Sequence, residues 1–260
     1  MQQEVKDSLL PNVIIAGFPK CGTSGLLFNL GRHPDVHHHQ LEADFFGNPD
    51  RTLEEYSALF LPGIKYNVEK TPLYVLRHAA MQHMADLIPH ATIILCIRHP
   101  IQAIHSFYNF RVFEHQRHIP KGIDPGKFHF EDIILNDLEV HEFSAHHYCY
   151  MKHIRENVLP HYPREQLYFV VQERMVQNKR VEMNKLFQHL GLPDYDGEFI
   201  NRAKLHGEGF RYGNIDYKAS QYRDALEKLR SMFTESNREL CAFLQDDLPE
   251  WDYFDRMYAD

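Results

Sequence analysis

The stretch "NVIIAGFPKCGTSGLLFNLGRHP", residues 12–34, decides the fold. After Asn12 the run VIIAGF is apolar without a break, as in a strand buried on both faces of a parallel sheet. A turn holding Gly17 and Gly22 follows, and then TSGLLFNL, which reads as a helix stopped by Gly31 and Pro34. Strand, glycine turn and helix in that order gather backbone N–H groups and the positive end of a helix around one point. Such a point holds an anion.

Two further stretches behave like the first. ATIILCIR (91–98) and QLYFVVQ (166–172) read as buried strands. Pro100 opens a helix after the former, where proline is tolerated, and IQAIHSFYNFRVF continues it. VEMNKLFQHLGLP reads as an amphipathic helix after the latter, ended by Gly191 and Pro193. Strands alternating with helices predict an α/β fold: a single domain, 1–260, with a central parallel sheet flanked by helices. DLEVHEFSAHHYCYMKHIRENVLP (137–160) predicts one long helix. The tail KASQYRDALEKLRSMFTESNRELCAFLQ (218–245) predicts two helices broken near Ser236 and Asn237.

The chain has 260 residues, enough for one substantial core. Its net charge of −8 with histidine neutral gives no bulk attraction to nucleic acid or anionic membranes, so neither is an expected partner. Cys21, Cys96, Cys149 and Cys241 form no C-x-x-C pair and are expected to be free thiols in a reducing compartment. No secretory leader is visible in MQQEVKDSLLPNVII, and no 18-residue apolar run exists, which points to a cytoplasmic protein. Oligomeric state is not readable. The HHH at 37–39 is not expected to bind metal, because adjacent histidines on a regular element cannot all face one ion. His146, Tyr150 and His153 share one face of the long helix, either as a half-buried amphipathic face or as the lining of a substrate pocket.

The turn GFPKCGTSG (17–25) is close to the phosphate loop G-x-x-x-x-G-K-[ST]. The lysine that should follow the second glycine is missing. Thr23 stands there, and Lys20 lies inside the turn instead. Cys21, Gly22, Thr23, Ser24 and Gly25 would supply backbone amides, and Thr23 and Ser24 hydroxyls as well. In nucleotide hydrolases the lysine works beside Mg²⁺ held by a Ser/Thr and a strand aspartate. The strand end ILCIRHP has no acidic residue and carries Arg98. Lysine and arginine without a metal-holding carboxylate imply neutralisation of phosphates by side chains. Arg98 stands at the C-terminal end of a strand, where α/β ligands bind. With Ser106 in the next helix it offers a phosphate a guanidinium fork and a hydroxyl.

At this point the chain resembles the sulfotransferases that use 3′-phosphoadenosine 5′-phosphosulfate (PAPS). GFPKCGTSGL is similar to their 5′-phosphosulfate loop. RHPIQAIHSFY is similar to their 3′-phosphate motif R-D-P-x-x-x-x-x-S-x-Y, with His99 in place of Asp. LYFVVQERM and the tail LEKLRSMFTESNRELCAFL also resemble the family, the tail its carbohydrate-type branch. The resemblance implies a P-loop NTPase-like fold, with Lys20, Cys21, Gly22, Thr23, Ser24, Gly25, Arg98 and Ser106 holding PAPS.

QLEADFFGNPD (40–50) resembles the E-x-x-F-F segment of the heparan-type enzymes, which makes Glu42 the catalytic base. Phe45 and Phe46 would pack beside Glu42 and strip it of water. Ala43-Asp44 replaces the usual Pro-His, and Asp44 is the second carboxylate in line. VEKTPLYV (68–75) resembles E-K-T-P-x-Y, in which Lys70 reaches the transferring group, while Glu69 supports it or contacts the acceptor. The family's late basic tripeptide is missing from KLHGEGFRYGNIDYK (204–218). Arg211 takes that lid position, with Lys204 and Lys218 behind it.

The implied reaction moves the sulfuryl group of PAPS to a hydroxyl or amine of an acceptor, releases 3′,5′-ADP (PAP) and needs no metal. On charge grounds the acceptor is a small molecule or glycoside rather than a long polyanion. Lys20, Lys70 and Glu42 would supply charge stabilisation and the base. Two other readings stand beside this one. A P-loop kinase or NTPase would require Mg²⁺ and an acidic strand end. A nucleotide-binding module of the same fold would bind without catalysis.

Overall fold

The computed structural model describes residues 9–118, 129–138, 144–200 and 219–259. Five strands form one parallel sheet: β1 Val13–Gly17, β2 Val36–His38, β3 Tyr66–Lys70, β4 Thr92–Ile97 and β5 Leu167–Val171. Their order across the sheet is β2-β3-β1-β4-β5. The class is α/β, as expected from the alternation of strands and helices. β1 is buried at every position, which is why its sequence is apolar throughout. It pairs with β3 on one side, Ile15 opposite Lys70, and with β4 on the other, Gly17 opposite Leu95. The direction of strand succession reverses at β1, and in such sheets ligands bind beyond the carboxyl ends of the strands at that point.

The helices, in chain order, are α1 Thr23–Leu30, α2 Leu53–Ser57, α3 His78–Leu87, α4 Pro100–His118, α5 Phe130–Leu135, α6 Tyr150–His153, α7 Gln172–Gln177, α8 Lys179–His189, α9 Arg223–Leu244 and α10 Asp252–Ala259. Pro100 is the first residue of α4, and Gly191 just beyond α8 has φ 64, both as the sequence predicts.

Two compact units share the chain. Met1–Ile97 with His153–Gly207 carries the sheet, α1, α2, α3, α7 and α8. Arg98–Lys152 with Glu208–Asp260 carries α4, α5, α9 and α10 and, among its described residues, no strand. In the second unit α5 buries Phe130, Ile133 and Ile134, and α9 buries Ala225, Leu226, Leu229 and Phe233, the two helices packing together.

Three expectations need correction. The sheet has two strands that the hydrophobic pattern passes over: β2 is only three residues, VHH, and β3, YNVEK, carries Asn67, Glu69 and Lys70, all buried. Asn67 is satisfied by the chain itself: its side chain exchanges hydrogen bonds with the Leu61 backbone at 3.0 Å in both directions. The long helix over 137–160 is not one helix. A 3-10 turn, Ala145–Tyr148, is capped by Ser144, whose hydroxyl accepts from His146 N–H. Cys149 then leaves helical geometry at φ −75, ψ 69, before α6 and a wide π turn at Ile154–Val158. His146, Tyr150 and His153 therefore do not share a helix face. Third, α9 passes unbroken through Ser236 and Asn237. Its stripe of Ala225, Leu226, Leu229, Phe233 and Leu240 is buried on both sides of that pair, and burial overrides the weak helix propensity of Ser and Asn.

Candidate active site

The phosphate loop begins where β1 ends. Phe18 N–H donates to Cys96 O at 2.9 Å, and Cys21 N–H closes the turn on Phe18 O at 3.3 Å. Lys20 sits at φ 60 and Gly22 at φ 89. The left-handed φ of Gly22 is what demands glycine there; a Cβ would meet only the end of the Gln172 side chain, which can move aside. Gly22 O accepts the first helical bond of α1, from Leu26 N–H. The first-turn amides of a helix have no partner within it, and this first turn carries no acidic residue to compete for them. Cys21 and Thr23 are buried; Lys20 and Ser24 are half-buried.

Lys70, the last residue of β3, reaches this loop. Its side chain is 6 % exposed, and Nζ donates to Ser24 Oγ at 3.3 Å and to Glu42 Oε1 at 2.6 Å. Residues far apart in sequence thus form one connected group: loop hydroxyl, ammonium and carboxylate. The strand register explains the reach, since Lys70 stands opposite Ile15, two residues before the loop.

Phe45 and Phe46 do not strip water from Glu42, whose side chain is 47 % exposed. Both rings are buried among other aromatics: Phe45 stacks on Tyr56 at 4.2 Å, and Phe46 meets Tyr74 edge-on at 5.5 Å. The desolvated carboxylate is Glu69, which is fully buried. Its Oε1 accepts from the Thr71 hydroxyl at 2.5 Å. Burial pushes its pKa up to about 8. The Thr71 hydroxyl, the nearby Ala43 amide and Lys70 pull the value down, while the charge of Glu42 adds to the rise. Oε2 has no hydrogen-bond partner among the described residues.

Asp44, at φ 46, donates its N–H to Thr71 Oγ1 at 3.2 Å, and its carboxylate accepts from Arg77 Nη1 at 3.0 Å. Asp44 is therefore engaged by a guanidinium while Glu42 faces Lys70, which separates the two candidate bases. Sequence reasoning missed Arg77 and Thr71. The signal for Thr71 was the E-K-T-P segment itself; Arg77, beyond TPLYVL, had none.

In the second unit Tyr150, 0 % exposed, clamps the backbone of Arg98. Its hydroxyl accepts from Arg98 N–H at 3.3 Å and donates to Arg98 O at 2.6 Å. This corrects the pocket-lining reading of Tyr150; His146 is 57 % exposed and lies 3.8 Å from Asp137. Arg98 Nη2 donates to Gln102 Oε1 at 3.3 Å. Ser106 is 8 % exposed, and its hydroxyl has no hydrogen-bond partner among the described residues. A buried hydroxyl of this kind is expected to find a partner beyond the described residues. His99, where the resemblance has Asp, is buried with Nε2 3.1 Å from Asp255 Oδ1 of α10, its ring against Trp251 and Phe254. Arg211, Lys204 and Lys218 lie outside the described residues.

His37 meets Leu59 O at 3.1 Å, and the His38 ring packs on Phe28. Among the described residues no group of three or more His, Cys, Asp or Glu is arranged for a metal ion, and no helix is long and apolar enough to cross a membrane.

Residues 10–205 match the model of the sulfotransferase domain family. The chain belongs to that family. It is 24 % identical over 270 residues to "Bifunctional heparan sulfate N-deacetylase/N-sulfotransferase 1" of Caenorhabditis elegans, an alignment covering 93 % of this chain and 31 % of that protein. It is 29 % identical over 192 residues to human "Heparan sulfate glucosamine 3-O-sulfotransferase 3B1", covering 70 % of this chain and 46 % of the relative. The chain thus spans less than half the length of these relatives. Among solved structures, a sulfotransferase from Alicyclobacillus acidocaldarius superposes with a TM-score of 0.68 at 22 % identity, covering 93 % of this chain and 98 % of that one. That likeness concerns the fold, which in sulfotransferases is P-loop NTPase-like.

Proposed function

We propose that this sulfotransferase takes its sulfuryl group from PAPS and delivers it to a hydroxyl or amine of a small glycoside or short saccharide. The observation that carries the reading is the Lys70 bridge from Glu42 to Ser24, since it joins a candidate base to the anion loop. Lys20, the amides of Cys21 to Gly25 and the hydroxyls of Thr23 and Ser24 receive the phosphosulfate. Arg98 and Ser106 receive the 3′-phosphate, and Arg211 is assigned to the lid. Glu42 accepts the acceptor proton as the acceptor oxygen or nitrogen bonds to sulfur. The bond from sulfur to the phosphate oxygen breaks, the pair stays on that oxygen, and PAP leaves. Lys20 and Lys70 offset the charge gathering there.

The half-exposed Glu42, which a substrate can reach, supports the assignment of the base. The names of the relatives point to a sugar acceptor. The net charge of −8 favours a short acceptor over a long polyanion.

Calorimetric titration tests the donor: 3′,5′-ADP is expected to bind tightly and ATP with Mg²⁺ weakly, and the reverse order would sink the reading. Glu42→Gln is expected to abolish transfer of labelled sulfate from PAPS while sparing 3′,5′-ADP binding. Transfer that survives in Glu42→Gln and disappears in Asp44→Asn would move the base to Asp44.

A further inference from the structure

β3 ends in two consecutive buried ionisable residues, Glu69 and Lys70. Side chains alternate along a strand, so they leave it on opposite faces. Lys70 meets Glu42. Glu69 instead anchors a cluster that grips the turn just after Glu42. Asp44 N–H donates to Thr71 Oγ1, and the Thr71 hydroxyl donates onward to Glu69 Oε1. Phe46 N–H donates to Tyr74 Oη at 3.3 Å, and the Ala43 amide lies within electrostatic reach of Glu69. Three amides of one turn are thus directed at one buried group of side chains.

The same geometry disfavours a charge on Glu69. Lys70 Nζ is engaged by Glu42 and Ser24. Oε2 of Glu69 and Oη of Tyr56 are buried without hydrogen-bond partners among the described residues. A carboxylate in that position would be a desolvated charge with no cation bonded to it.

We propose that Glu69 is a positioning residue that works as an uncharged acid, fixing the Ala43–Phe46 turn through Thr71 and so holding Glu42 on Lys70. The catalytic part of this proposal rests on the sulfotransferase reading. The titratable groups around Glu69 are Glu42 and Asp44 from the turn, Lys70 from β3, Tyr56 from α2 and Tyr74 after β3. Lys70 is the one cation in that set. Once ionised, Glu69 would compete with Glu42 for it and repel Glu42 directly. The folded chain keeps a proton on Glu69 that the unfolded chain releases, so stability falls as pH rises from the ordinary carboxylate range to about 8.

The test combines pH–rate profiles, thermal unfolding against pH and infrared difference spectra of the full chain. Wild type is expected to lose kcat as pH rises through about 8. Glu69→Gln, neutral at every pH, is expected to flatten both that alkaline limb and the acid-to-alkaline decline in Tm, with the KM for PAPS unchanged. Thr71→Val keeps the acid and removes the bond that lowers its pKa. It is expected to lower kcat several-fold and move the limb to higher pH, and it supplies the answer if Glu69→Gln does not fold. An unchanged limb and unchanged Tm profile in Glu69→Gln overturn the proposal, as does a PAPS KM that rises in step with lost kcat. The infrared band of a protonated carboxyl at neutral pH, present in wild type and missing in Glu69→Gln, decides the charge state without any turnover. Absence of transfer to every acceptor would fail the sulfotransferase reading, whereas absence of that band would fail this one.

Discussion

Lys70 Nζ has two partners, and they determine what its removal does. Lys70→Ala leaves Glu42 unpaired, but Glu42 is half-exposed and water can solvate it, so the fold is expected to survive. On the proposed function, the charge that offsets the leaving group goes with it. Transfer is therefore expected to fall by about 10²–10³-fold, the usual loss for one such stabilising group. Affinity for 3′,5′-ADP, measured by calorimetry, should change far less. At this scale Glu42, Lys70, Lys20, Arg98 and Ser106 could be named from short motifs. Thr71, Arg77 and Tyr150 were not given their roles, because each acts by holding a distant backbone or carboxylate. Nothing local in the chain marks such a role. The swap of environments between Glu42 and Glu69 was equally hidden: the adjacent Phe pair suggested a dry Glu42, yet the rings turn toward Tyr56 and Tyr74.

Among the elements, α6 does work that no periodicity announces. It delivers the Tyr150 hydroxyl to both backbone groups of Arg98. Tyr150→Phe removes that hydroxyl and leaves a part-buried N–H and C=O to find other partners, a cost of about 1 kcal/mol. Affinity for 3′,5′-ADP is expected to fall about tenfold, the equivalent of 1.4 kcal/mol. Affinity for adenosine 5′-phosphosulfate, which lacks the 3′-phosphate, should hold. Equal losses for both ligands would mean that the clamp does not serve Arg98. The strands β1, β4 and β5 were legible as continuous apolar runs. β3 was not, because its buried polar residues are held by side-chain hydrogen bonds, and a hydrophobicity pattern scores them as exposed. Residues 137–160 failed in the opposite way: their composition suits a helix, while the backbone leaves helical geometry at Asp137, Ser144 and Cys149.

For the whole molecule, the charge of −8 acts on any acceptor that approaches. Screening shortens that field to about 10 Å at 0.1 M salt. With a polyanionic saccharide as acceptor, kcat/KM is expected to rise as salt is added; with a neutral glycoside it should stay nearly flat. A fall with salt for the polyanion would reveal a local basic track that net charge conceals. The α/β class was legible from the order of strands and helices. The division into a sheet-bearing unit and a second unit was not, since each is assembled from two separate stretches of chain.

The sheet order has a consequence for how such a protein can vary. β1 lies hydrogen-bonded between β3 and β4. The strand that feeds the phosphate loop and the strand that ends in Lys70 are therefore one strand spacing apart, about 4.8 Å. That spacing is a property of the backbone and does not depend on how much chain joins the strands. The exposed positions of 48–65 and 78–91 can change, though not buried ones such as Tyr56 and Met84, while the ruler between the loop and the lysine stays the same. Variation in the connections therefore leaves the distance between the loop and Lys70 as it is.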